Sequence, residues 1–75
     1  MKINLYTLPT CGICNMVKIK LRNKHINFYE KPFREINMVI NSDRAPVLEI
    51  INETGQKQIL TSPSAIVQWI NTQGG

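Results

Sequence analysis

The chain has 75 residues, 43% hydrophobic and 19% charged, which gives a single domain over 1–75 with one modest core and leaves no material for a second. No apolar run approaches the roughly 20 residues that a membrane-crossing helix needs, and Met1-Lys2-Ile3-Asn4-Leu5-Tyr6 lacks the apolar stretch and cleavage site of a signal peptide, so a cytoplasmic setting without a membrane is expected. The net charge of +4 gathers in Lys18, Lys20, Arg22 and Lys24, but alternate positions on a helix scatter over several faces and the segment has no aromatic stacking group, so this is read as a solvated face suited to acidic partners and not as a nucleic-acid surface.

In chain order, Ile3 to Thr7 is rich in strand formers and runs into a turn at Pro9-Thr10. A helix comes next, with Thr10 as the expected N-cap and Cys14, Val17 and Leu21 as its apolar stripe; Met16 and Ile19 fall off that stripe. It should end at Asn23-Lys24-His25, where basic groups suit the negative end of the helix dipole and His25 suits a left-handed position. Ile26 to Glu30 alternates as a second strand, and strand-helix-strand over so short a span implies a parallel pair with a right-handed crossover.

Phe33, Ile36, Val39 and Ile40 give a helical repeat over Phe33 to Asn41, which breaks at Asn41-Ser42-Asp43. Val47 to Ile51 is an apolar strand, Asn52-Glu53-Thr54-Gly55 a turn, and Gln56 to Leu60 the returning strand of a hairpin. The last helix starts at Ser62-Pro63, with Ser62 as N-cap and Pro63 where a missing N–H costs nothing, and Asn71 to Gly75 frays. The order β-α-β-α-β-β-α predicts an α/β fold with a four-stranded mixed sheet and helices on both faces.

Chemistry concentrates in Cys11-Gly12-Ile13-Cys14, where the first strand gives way to the first helix. A helix opens with unpaired N–H groups and a partial positive charge, so a thiolate at Cys11 is stabilised and becomes the nucleophile. Three residues on, Cys14 shares the helix face and becomes the resolving thiol. The spacing is also a zinc half-site, but His25 alone cannot complete four ligands, so a metal or iron-sulfur module would require two chains. The bland readings are preferred elsewhere: Trp69 as packing beside Ile66 and Ile70, and His25 as a helix terminus.

Tyr6-Thr7-Leu8-Pro9-Thr10-Cys11-Gly12-Ile13-Cys14, Ala45-Pro46-Val47-Leu48 and Ser62-Pro63-Ser64 together resemble a glutaredoxin, and most of all the glutaredoxin-like redoxins that reduce ribonucleotide reductase. The resemblance implies the thioredoxin-like fold in its minimal glutaredoxin form. It further implies a cis Ala45-Pro46 bond beside the cysteines, with the Ala45 backbone free to pair with a bound peptide or glutathione. Ser62 is read first as a cap, with a hydrogen bond from its helix end to a substrate carboxylate as the secondary reading. Thr10, Gly12 and Ile13 support the motif.

The cysteine pair and the resemblance together imply a monomeric thiol-disulfide oxidoreductase with no bound cofactor, acting on disulfide-bearing proteins such as ribonucleotide reductase and fed by thioredoxin reductase. Glutathione is the alternative reductant. Leu8 stands where glutaredoxins carry a basic residue, Leu60 to Ser64 lacks their paired glycines and acidic residue, and Gly12 replaces their proline. The first two departures place the redoxin reading ahead of the glutathione-dependent one, while Gly12 adds an amide donor near the sulfur and loosens the loop.

Overall fold

The computed structural model describes residues 1–40 and 44–73. The expected break at Asn41-Ser42-Asp43 and the end of the expected fraying at Gly74-Gly75 lie outside the described residues. The elements run β1 (Lys2–Thr7), α1 (Gly12–Asn23), β2 (Tyr29–Pro32), α2 (Arg34–Ile40), β3 (Val47–Ile51), β4 (Lys57–Leu60) and α3 (Pro63–Thr72).

The strands form one mixed sheet in the order β2-β1-β3-β4, with β1 parallel to β2, antiparallel to β3, and β3 antiparallel to β4. Successive strand residues face opposite sides, so β1 serves two layers. Ile3 and Leu5 join Leu48 and Ile50 under Val17 and Leu21 of α1 and Ile66 and Ile70 of α3. Tyr6 and Val47 pack on the other face with Phe33 and with Ile36 of α2. Val17, Leu21 and Ile66 are wholly buried, each contributing roughly 1.5–3 kcal/mol of transfer free energy. Trp69 is half-buried against the first cluster, as packing.

The helix α1 ends as its sequence asks. His25 adopts φ 58°, its N–H donates to the Arg22 carbonyl at 3.0 Å, and the Ile26 N–H reaches back to Leu21 at 3.0 Å. This double closure satisfies two terminal carbonyls and leads Ile26 onto the core. The β3–β4 turn is built on Asn52, whose Oδ1 accepts from the Thr54 and Gln56 N–H groups at 3.0 and 2.9 Å. Gly55 takes φ 88° there, a conformation open to a residue without Cβ.

Several boundaries differ from expectation: β1 starts one residue early, at Lys2, and α3 runs on through Asn71 to Thr72, residues expected to fray. The second strand begins at Tyr29, not Ile26, because Ile26 and Phe28 spend their apolar side chains packing on the core from the preceding loop. The second helix begins at Arg34, not Phe33, and Val39, expected on its apolar repeat, is 76% exposed. The fourth strand starts at Lys57, since Gln56 belongs to the Asn52 turn.

Candidate active site

Each strand of this sheet that leads into a helix does so at one end. β1 ends at Thr7 opposite Pro32, the last residue of β2, and beside Val47, the first of β3; β4 finishes at Leu60 opposite Leu48. The N-termini of α1, α2 and α3 come directly after β1, β2 and β4, so all three open at this end. The cysteine loop, Pro46 and Ser62 are thereby brought to the same rim, although they are far apart in sequence.

The loop from β1 to α1 turns tightly, with the Cys11 N–H donating to the Leu8 carbonyl at 3.2 Å. Cys11, and not Thr10 as expected, is the N-cap of α1: it has extended backbone angles of φ −92° and ψ 108°, and its Sγ accepts the Cys14 N–H at 3.1 Å. The sulfur thus takes the role that a hydroxyl oxygen takes in an ordinary cap, and Thr10 is left exposed one residue outside the helix. The first turn of α1 holds no acidic residue, whereas Lys20 and Arg22 sit in its last turn, so no charge within the helix's first turn opposes an anion at its start.

Cys11 and Cys14 are joined by a disulfide, with Cα atoms 5.2 Å apart. Cys11 is half-buried and Cys14 is 1% exposed. One sulfur is therefore reachable and the other sits within the fold. Gly12 and Ile13 are exposed beside them, and a Cβ placed at Gly12 would meet nothing within 4 Å. Among the described residues no group of three or more His, Cys, Asp or Glu side chains is placed to hold a metal.

The Ala45-Pro46 peptide bond is cis. Pro46 is buried and Ala45 half-buried against the Tyr6, Phe33 and Val47 cluster, so the bond lies at the edge of the sheet where β3 begins. Ser62 caps α3: its Oγ accepts the Ala65 N–H at 3.4 Å and shares a 2.9 Å hydrogen bond with Ser64 Oγ. Its side chain is committed to the helix end.

The fold is thioredoxin-like. This chain is similar, with a TM-score of 0.72 and 22% identity over 96% of its length, to the trimeric glutathione transferase TDR1 of Leishmania. It is similar, with a TM-score of 0.70 and 20% identity over 93% of its length, to a maleylacetoacetate isomerase from Anaeromyxobacter dehalogenans 2CP-1. The chain spans only 18% and 34% of those two chains. Neither the protein-family models nor the curated proteins contain a match. No helix among the described residues is long and apolar enough to cross a membrane.

Two features of this thioredoxin-like fold carry no signal in the local sequence. On the α2 face, buried Glu49 of β3 accepts hydrogen bonds through Oε1 from Asn4 Nδ2 at 2.8 Å and from the Tyr6 hydroxyl at 3.1 Å. Burial, then the charge and hydrogen bond of Glu49, pushes the Tyr6 phenol up from 10.0 to about 12. On the other flank of the β1–α1 loop, Glu30 accepts from Thr7 Oγ1 at 2.7 Å and from Lys18 Nζ at 3.1 Å. These two bonds hold its carboxyl below the ordinary range.

Proposed function

We propose that this chain is a thiol-disulfide oxidoreductase that reduces protein disulfides through Cys11 and Cys14. The observation that supports this reading is the bonded cysteine pair at the opening of α1, with one sulfur accessible, the other buried, and a first-turn amide directed at the accessible one. In the reduced chain the Cys11 thiolate attacks one sulfur of a client disulfide. A Cys11–client bond forms and the client's other sulfur leaves as a thiolate that takes up a proton. Cys14 loses its proton and attacks Cys11 Sγ, forming the internal disulfide and releasing the second client thiol. Two electrons and two protons pass to the client, and no bound cofactor is required.

The cis Ala45-Pro46 bond lies just before β3, and this reading gives the Ala45 backbone the pairing with an extended client segment. A redoxin role, with ribonucleotide reductase among the candidate clients and thioredoxin reductase as electron source, agrees with Leu8, which is 45% exposed on the cysteine loop and offers no charge to a glutathione carboxylate. Glutathione as the reductant is the second reading, favoured by the glutathione transferase among the structural neighbours.

The test is a pair of coupled assays that track NADPH oxidation with a disulfide protein as the final acceptor, one containing thioredoxin reductase and the other glutathione with glutathione reductase. Turnover in the first supports the redoxin role. Turnover only in the second assigns glutathione, and none in either, even with dithiothreitol as donor, rejects the oxidoreductase.

A further inference from the structure

The sheet order places Pro46 on one side of the cysteine loop and Pro32 on the other. The Pro32 side is not flat. Two adjoining hollows of about 380 and 400 Å³ share Thr7, Leu8, Pro9 and Pro32, and so run alongside the loop that carries Cys11. Leu8, Pro9 and Pro32 give both hollows apolar lining, and Phe33 adds to the second.

Their rim is basic. Lys18 and Lys31 line the first hollow and Arg34 the second, against a single carboxylate, Glu30, which is already engaged by Lys18 and Thr7. Lys31 and Arg34 have no ion pair among the described residues. The groove thus joins apolar surface to two uncompensated cations, and it adjoins the turn bearing the accessible sulfur.

We infer that this groove receives an acidic, partly apolar segment of the client protein, whose carboxylates meet Lys31 and Arg34 while the neighbouring client disulfide meets Cys11. The inference rests on the dithiol reading and names the substrate class for it. Leu8 then has a positive role: it is floor for an apolar client side chain, and the charge absent from its position is supplied by β2 and the start of α2. The overall charge of +4 acts in the same direction by drawing acidic clients to the surface.

The test uses the full chain, reduced with dithiothreitol and freed of it, in single turnovers against three synthetic peptides. Each bears one cysteine in mixed disulfide with a coloured aryl thiol, flanked by Glu and Leu, by Ser and Leu, or by Lys and Leu. The wild-type second-order rate constants should fall in that order, with acidic over basic by about tenfold at low salt, as two exposed ion pairs would give, and the ratio should shrink at high salt. In a Lys31→Glu, Arg34→Glu variant whose circular dichroism matches wild type, the ratio should approach one or invert.

Equal rates on all three peptides in the wild type, or the same acidic preference in the variant, would overturn the groove while leaving the dithiol chemistry intact. Competition by inorganic phosphate without discrimination among the peptides would reassign the groove to a small anion, which also overturns it. If none of the peptides is reduced, the dithiol reading fails and takes the groove with it.

Discussion

The backbone N–H of Cys14 donates to Sγ of Cys11 at 3.1 Å. The two members of the pair are thus linked twice, once through their sulfurs and once through this amide. In the reduced chain this amide, with the unpaired donors that open any helix, faces the sulfur that must carry negative charge. On the proposed dithiol reading, these donors supply the activation without a charged side chain at Leu8.

The unequal burial of the two sulfurs assigns unequal roles. Cys11→Ser should lower disulfide reduction by at least about a thousandfold, since no nucleophile remains in reach of a client. Cys14→Ser should still attack but should stall as a mixed disulfide, visible as an added client mass under non-reducing mass spectrometry. Unchanged turnover in Cys14→Ser would remove the resolving step from the mechanism.

Much of this site is legible in the sequence because its parts are local. The stripe Cys14, Val17, Leu21 marks which face of α1 is buried, and Ser62-Pro63 marks the start of α3. The cap departs from expectation because Thr10 has the better hydroxyl, while the structure uses the sulfur one residue later. The second strand and its parallel pairing are legible but its bounds are not, because β2 is a sheet edge whose four residues are mostly exposed and carry no apolar alternation. The apolar alternation lies instead in Ile26 and Phe28, which pack from a loop. The Asn4–Glu49 pair is brought together by strand register, and the Lys18, Lys31, Arg34 groove by the packing of α1, β2 and α2, neither of which is local in sequence.

Gly12 stands at the first helical position with open space around its Cα and no positive φ to preserve. Gly12→Ala should therefore stabilise the chain by about 0.4–1 kcal/mol, because it restricts the unfolded chain without cost to the folded one. Urea midpoints of the oxidised proteins would show it, and a lower midpoint for the variant would mean that the glycine is needed in its native conformation.

Tyr6 sets an alkaline limit. Burial raises its phenol from 10.0 to about 12, with the Glu49 carboxylate adding to the effect. The folded chain holds this proton more tightly than the unfolded chain, so the linked stability is complete below about pH 10 and is lost as pH rises through about 12. The loss is on the order of 2–3 kcal/mol. Thermal midpoints of Tyr6→Phe should fall less steeply than wild type over that range, and parallel slopes would contradict the linkage.

The opening of α1 should make Cys11 an easily formed thiolate. The direct measurement is the rate of Cys11 alkylation by iodoacetamide in the reduced chain as a function of pH, with mass mapping to separate it from buried Cys14. The midpoint should fall clearly below the free-thiol value of about 8.5. A midpoint at or above that value would contradict the account.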